Sequence, residues 1–584
     1  MRHYRLPARP RDFRWMDVDP PGPASRPVPA QRDPFTMDAA PAPAAGSLPA
    51  AAAMPNPLPS SAQEVRAPPS APTRAPSAPD VVAGLVSLAI FAYVAVRAAT
   101  LSITIDEALT WSWHVTGTWQ DIALLRTPGE PDNNHVLLTL LAKVAVACFG
   151  LSEFALRLPT LAGLALFLGG INAVLRRIVP GWMQVLGVCA LGLNPYLVDY
   201  FSIARGYGLG LGLATAGLAV LLAAMADAPD SVRPGATRGA FVLFTLAALA
   251  NLTFVLVLIA AAVVLWTPFL VRGRARVAWD ALWPSSAGAW TVVAGTAVLQ
   301  GYLLRPLVVV RRAGLFSAGG QRGFWPDTVR SLVDGTIHGS HWPDETRVLL
   351  YAWIATTLLL VPVVSWLRRS RGPREFNAVA IVFAMMLLVA VGSVLQHALF
   401  GVAFLEGRRG LSLVVLFTLT ALALAGVPRT APRLLRAAAF ASGVAVPTLL
   451  VVRGLLALNT QFVLDWKMDA AGRDMMVATR AWIEERPRAA PVRLRVFWPL
   501  APSAEFYRHA LGLEASLQPL RVDDRPGFDG PADLYYVPRQ DVPAVERFGV
   551  APLRSFAVAG TVLLQRMPEA HPDLSPAVTP APAR

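Results

Sequence analysis

Two carboxylates stand together at Asp106–Glu107, in the stretch TIDEALTW, immediately after the first long apolar run of the chain. A carboxylate at the edge of a membrane can act as a general base, removing a proton from an acceptor hydroxyl or amine. Cationic side chains or a metal can stabilise the charge that builds on a phosphate leaving group. Candidates follow in order. The first loop continues through Asp132, Asn133, Asn134 and His135, then Lys143, Glu153 and Arg157. Tyr196, Asp199, Arg205 and Tyr207 fall at a later junction between apolar runs, and Glu406, Arg408 and Arg409 at another. Polar groups placed at the ends of apolar helices snorkel, pair or function, because hydrocarbon penalises them otherwise.

The elements that hold these residues are membrane helices. Hydrophobic residues make up 54% of the 584 and charged residues 15%, against about 25% charged in soluble proteins. The net charge of +14 does not signal nucleic-acid binding, because the arginines sit in short loops between apolar runs, where they set membrane orientation. Twelve apolar runs are present, starting near residues 81, 136, 157, 181, 206, 239, 253, 286, 346, 376, 409 and 434. The one at 134–150 is short and carries His135 and Lys143. If it does not cross, and the N-terminus is cytoplasmic, the basic loops at Arg176–Arg177, Arg233–Arg238, Arg272–Arg276, Arg368–Arg374 and Arg429–Arg433 all face the cytoplasm. If it crosses, all five face outward, against the positive-inside rule. The sequence therefore predicts an all-α polytopic membrane protein of about eleven transmembrane helices, with 134–150 as a juxtamembrane or re-entrant helix.

This topology divides the chain into four parts. Residues 1–80 hold 19 of the 51 prolines and cannot bury enough surface to order themselves. They read as a disordered cytoplasmic tail and not a signal peptide, with Met37 or Met54 as alternative starts. Residues 81–457 form the transmembrane domain, with the long first outer loop at 100–156 and further outer segments around 199–205, 305–345 and 398–408. Residues 458–566 form a small extracytoplasmic α/β domain, with helices at 467–486 and 502–512 and strands at 492–498, 532–537 and 560–566. Residues 567–584 are a frayed tail. Cys148 and Cys189 both lie in apolar helices and read as inert thiols.

All the candidate groups fall on the outer side, where no nucleotide sugars are available. A group transfer there needs a donor carried in the membrane, and a polyprenyl-phosphate sugar fits. The order of motifs resembles the GT-C glycosyltransferases. It is similar in particular to the protein O-mannosyltransferase and lipid A aminoarabinose transferase group. The matching pieces are Asp106–Glu107, then Asn134–His135–Val136–Leu137, then Glu153-Phe-Ala-Leu-Arg157-Leu-Pro159. The segment NPYLVDYFSIARGYGLGL (194–211) carries Arg205 and Tyr207 in matching places, and EGRRGLSL (406–413) and DWKMDAAGRDMM (465–476) look like parts of bacterial members.

The resemblance implies an inverting transferase that uses a polyprenyl-phosphate sugar in a bacterial inner membrane, with Asp106 as base and Glu107 supporting it. Arg157, Arg205 and Arg408 become candidates for holding the phosphate; His135, Lys143, Glu153 and Tyr207 become further substrate-binding candidates. Val136 stands where the family has its first proline, which leaves a divalent metal open as a cofactor; no metal ligand set is identified. The acceptor is a lipid, a glycan or a protein.

Each residue also has a structural reading. Asp106–Glu107 can be a polar end to the first span, His135 a helix cap and Lys143 a snorkelling side chain. Arg157 can pair with Glu153 across one helical turn, Arg205 with Asp199, and Glu406–Arg409 can be a solvated turn. Trp111, Trp113 and Trp119 suit interfacial anchors. The rival functions are a secondary transporter, a lipid-linked polysaccharide polymerase or ligase, and a non-catalytic subunit that binds lipid-linked sugar. No repeated half is visible and the polar residues gather at one surface instead of the midplane, which disfavours transport.

Overall fold

The computed structural model describes residues 76–567, apart from 180, 226–232, 272–282, 284–285, 318, 339–343, 370–377 and 521–530. The expected proline-rich tail up to residue 75 and the tail beyond 567 lie outside the described residues. The first helix begins at Ala78, inside the segment expected to be unstructured. Ser77 starts it early: its N–H and hydroxyl both donate to the Asp80 carboxylate, at 3.1 and 2.6 Å.

Among the described residues, eight helices are long and apolar enough to cross a bilayer: Ala78–Thr100, Glu153–Ile178, Gly206–Ala224, Ala287–Arg312, Asp344–Leu367, Ala378–Phe400, Gly407–Gly426 and Arg433–Leu456. Shorter apolar helices cover Val136–Phe149, Trp182–Gly192, Pro234–Ala250 and Leu252–Thr267. The helices up to residue 271 are labelled α1 (Ala78–Thr100), α2 (Ile105–Leu109), α3 (Trp119–Ala123), α4 (Val136–Phe149), α5 (Glu153–Ile178), α6 (Trp182–Gly192), α7 (Pro195–Phe201), α8 (Gly206–Ala224), α9 (Pro234–Ala250) and α10 (Val255–Val271). One apolar core, built from residues such as Ile90, Phe167, Leu175, Phe244, Leu265, Met385 and Leu419, runs through the bundle.

Long-range polar bonds show which helix ends meet. Arg97 near the end of α1 pairs with Asp199 of α7 at 2.5 Å. Arg157 at the start of α5 bonds the carbonyls of Ala98, Leu101 and Ser102. Tyr302 and Arg305 bond the carbonyls of Ala123 and Leu124 beside α3. Arg453 bonds the carbonyls of Ile337 and His338. The ends at 97–107, 153–157, 194–206, 250–255, 302–338, 400–410 and 453–473 therefore share one end of the bundle. His135, just before α4, lies beside Asn251, and a short turn after α4 leads to Glu153, which bonds Tyr507. Both its ends lie at that same end, so α4 does not run the length of the bundle.

Beyond the last apolar helix, a four-stranded sheet of order β1-β2-β4-β3 (Leu494–Val496, Leu534–Pro538, Thr561–Arg566 and Val550–Phe556) is mixed. β1 and β2 are parallel, and the other pairs antiparallel. Helices Gly472–Glu484 and Ala501–Ala510 pack on it. The sequence reading omitted β3. Pro552 interrupts it, its register shifts between Pro552 and Arg554, and it sits at the sheet edge, where a proline is tolerated.

Candidate functional site

Asp106 and Glu107 are adjacent on α2, and successive residues of a helix point about 100° apart. That rotation separates their surroundings. Glu107 turns inward and is buried. Its carboxylate accepts two bonds from Arg157 at 2.8 and 2.7 Å, and one from the Ala204 N–H at 2.6 Å. It also closes a capping box with Thr104, accepting the Thr104 N–H and hydroxyl at 3.0 and 3.1 Å. Glu107, expected to support Asp106, has its carboxylate fully engaged in tying α2 to α5 and to the segment just before α8.

Arg157 requires a similar correction. It is fully buried, and all five of its N–H groups are bonded, to Glu107 and to the carbonyls of Ala98, Leu101 and Ser102. None is left for a phosphate. Its partner is not Glu153, four residues away; Glu153 turns to the C-terminal domain. There it meets Arg473 at 2.6 Å and accepts the Tyr507 hydroxyl at 2.7 Å. Lys143 donates to the Val115 carbonyl at 2.9 Å and lies over the Trp119 ring, fastening α4 to the first loop.

Asp106 turns the other way. Its side chain keeps 22% of its surface exposed, and Oδ2 lies 3.4 Å from an Arg205 nitrogen and 3.5 Å from an Arg408 nitrogen. Three separate segments thus converge on one carboxylate: the first loop, the start of α8 and the turn before the Leu411–Ala423 helix. Arg205 also bonds the Asn133 side chain and reaches the Thr110 hydroxyl. It does not neutralise Asp199, which is held by Arg97 and by His338 at 3.0 Å. His135 is buried edge-on to Tyr207, and Tyr207 to Tyr200.

Several buried polar atoms here have no hydrogen-bond partner: Asp106 Oδ2, which has only its two arginine ion pairs, and His114 Nε2, Asp132 Oδ1, Asn134 Oδ1, His135 Nε2 and Arg205 Nε. Buried polar groups are nearly always paired, with protein or with ordered water, so these atoms keep hydrogen-bonding capacity for polar groups that enter. Burial, with the nearby Arg205 charge, pulls the His114 imidazole down to about 4. At neutral pH that ring is uncharged and offers one donor and one acceptor. Among the described residues no group of three or more His, Cys, Asp or Glu is arranged to hold a metal ion.

An apolar crevice opens close by, lined by Leu211 and Leu218 of α8, Val257 of α10, Met385, Val415 and Leu416. Leu211 is four residues beyond Tyr207, and Ser412, also on its wall, is four beyond Arg408. At 1.5 Å per residue, the crevice begins roughly 6 Å below Arg408 and about 9 Å below Arg205.

The sequence reading did not pick out His114, Trp466, Asp465 or Asp469 individually. Asp106, Thr110 and His114 recur every four residues, which places them on one face of α2 and the π-helical turn after it. Asp465, Asp469 and Arg473 repeat at the same interval, a signal that was present in the sequence.

No protein-family model matches this sequence, and neither does any curated protein sequence. Among solved structures the chain is similar to ArnT from Cupriavidus metallidurans bound to undecaprenyl phosphate, at 15% identity and a TM-score of 0.46, over 84% of this chain and 98% of that one. It is also similar to the archaeal oligosaccharyltransferase AglB from Archaeoglobus fulgidus, in complex with an inhibitory peptide and a dolichol-phosphate. There the identity is 13% and the TM-score 0.33, over 73% and 64% of the two chains. Arabinosyltransferase EmbB from Mycobacterium smegmatis gives 13% and 0.36, over 82% of this chain and 45% of that one.

Proposed function

We propose that this chain is a GT-C-type membrane glycosyltransferase that moves a sugar from a polyprenyl phosphate to an acceptor outside the cytoplasm, inverting the anomeric centre. The observation that carries the reading is Asp106: a reachable carboxylate between Arg205 and Arg408, above an apolar crevice. An anionic head for the arginines and a hydrocarbon chain for the crevice are the two ends of a polyprenyl phosphate. The basic clusters at Arg176–Arg177, Arg233–Arg238 and Arg429–Arg433 lie at the opposite end of the bundle and favour a cytoplasmic side there.

In the transfer, Asp106 takes the acceptor proton as the acceptor atom bonds to the anomeric carbon from one face. The bond from that carbon to the phosphate oxygen breaks on the other face, and its electron pair leaves with the polyprenyl phosphate. Arg205 and Arg408 stabilise the added negative charge. Both arginines lie within reach of Asp106, and a donor phosphate would draw on the same guanidiniums. His114, held neutral, and the unpaired groups of Asn134 and His135 suit hydroxyls of the sugar or the acceptor.

Replacing Asp106 by Asn tests the reading. In cells, transfer is expected to fall by roughly 10²–10⁴-fold, with polyprenyl-phosphate sugar accumulating and the protein level in the membrane unchanged. Normal glycan and donor pools with the variant present in the membrane would remove Asp106 as base and return the transporter and non-catalytic readings to the front.

A further inference from the structure

The Leu464–Ala471 turn and Arg473 follow the last apolar helix, yet their side chains point back to the membrane end. Asp465 accepts the Tyr200 hydroxyl at 2.7 Å, and the Leu464 N–H donates to Asp199. Trp466 is buried, edge-on to Tyr200, and the Arg408 guanidinium lies 5.3 Å from its ring centre. Asp469 is buried; it accepts the Ile105 N–H at 2.9 Å, at the first residue of the helix carrying Asp106, and the Ser503 hydroxyl at 3.1 Å. Arg473 closes the series on Glu153 and the Ala99 carbonyl.

We propose that this segment is a working part of the transferase site: Trp466 positions Arg408 for the donor phosphate, and Asp469 positions the helix that presents Asp106. The inference rests on the function proposed above. The backbone at Trp466 leaves the helical region, with φ −125° and ψ 38°, which turns the ring under Arg408 while the residues after it resume the helical path. A cation over an aromatic face is restrained but not neutralised, so Arg408 keeps its charge for a phosphate. A carboxylate bonded to the first N–H of a short helix fixes where that helix starts, and Asp106 is the next residue. Trp466 and Asp469 are positioning residues; they act through Arg408 and Asp106.

The test uses the full chain in nanodiscs, with polyprenyl phosphate alone as binding probe, beside transfer in cells normalised to membrane protein level. Trp466→Leu is expected to weaken polyprenyl phosphate binding roughly five- to thirtyfold, and Trp466→Phe to restore most of it. Adding Trp466→Leu to Arg408→Ala should weaken binding no further. Should Trp466→Leu fail to accumulate, Trp466→Met, whose flexible unbranched side chain adapts to the gap without a ring, is read the same way. Asp469→Ala is expected to lower transfer by roughly fivefold or more while leaving polyprenyl phosphate binding within about twofold. Asp469→Asn, which can still accept the Ile105 N–H, should recover most of that loss. Parental binding in the Trp466 variants, or losses additive with Arg408→Ala, together with parental transfer in Asp469→Ala, overturns the proposal. Asp106→Asn separates the two failures. If it transfers like the parent, the function reading has failed; if it is inactive while the Trp466 and Asp469 variants behave like the parent, only the role of this segment has.

Discussion

Arg157 and Arg205 looked alike in the sequence, each an arginine at the outer start of an apolar helix and each a candidate for the phosphate. Their bonding separates them. Arg157 satisfies five acceptors and is fully buried, so removing either it or Glu107 leaves the other charge stranded. Arg157→Ala or Glu107→Ala should each cost about 3–5 kcal/mol, seen as a marked fall in the thermal midpoint of the purified protein and a low level in the membrane. Arg205, with Nε unbonded and Asp106 within 3.4 Å, should behave differently. Arg205→Ala should leave the midpoint within a degree or two and weaken polyprenyl phosphate binding by roughly ten- to hundredfold, the worth of one charged hydrogen bond of about 1.5–3 kcal/mol. Equal loss of stability in the two arginine variants would contradict this division. The sequence showed which residue types gather at one end of the bundle. It did not show that Asp106 and Glu107 divide the work, because that depends on partners 50 and about 100 positions away.

At the scale of elements, the stretch Gly206-Tyr-Gly-Leu-Gly-Leu-Gly212 was visible only as part of a family-like motif; its physical use lies in packing. Four glycines at every second position fall on two helical faces. On one face, a Cβ at Gly212 would lie 2.0 Å from the Gly163 carbonyl oxygen, and one at Gly208 would meet Thr160. α8 thus lies against α5 backbone to backbone, as small residues permit between membrane helices. On the other face, a Cβ at Gly206 would lie 2.0 Å from the Ala250 carbonyl oxygen and 2.8 Å from the His135 ring. Gly206 is the neighbour of both Arg205 and Tyr207, so the close approach sets the height of those side chains at the site. Gly212→Ala should lower stability by about 1–3 kcal/mol with little change in polyprenyl phosphate affinity in the protein that folds. Gly206→Ala should lower both. Affinity loss in Gly212→Ala equal to that in Gly206→Ala would show that packing along α8, and not the local contact at His135, controls the site. Helix positions were readable from runs of apolar residues, and α4 was expected not to cross from its short length, its polar residues and the loop charges. Which face of α8 meets which neighbour was not readable, since its hydrophobicity is nearly uniform around the helix.

For the whole molecule, the question is how the domain beyond the last apolar helix is coupled to the bundle. Its presence was legible from the change in composition after residue 457, while its attachment was not, because Asp465, Asp469 and Arg473 read as ordinary surface charges of a soluble helix. Asp469 provides a test through proton linkage. Burial, aided by the charges of Asp106 and Glu107 and opposed by the bonds from Ile105 and Ser503, raises its carboxyl from 3.8 to about 7. Tyr536 faces it from β2 and is itself raised, chiefly by burial. The folded protein therefore holds a proton at Asp469 that the unfolded chain releases above pH 3.8. Stability falls as pH rises between these values, and above pH 7 the full cost of an ionised buried carboxylate is present, on the order of a few kcal/mol. Asn has the same shape, can accept from Ile105 and donate to Ser503, and carries no charge. Asp469→Asn should thus match the parent in thermal midpoint near pH 4 and exceed it increasingly up to about pH 8, by several degrees. A midpoint difference independent of pH would mean that Asp469 is not titrating in the folded protein. A variant less stable than the parent at pH 8 would mean that the negative charge itself, and not only its hydrogen bonds, holds the domain against the helix of Asp106.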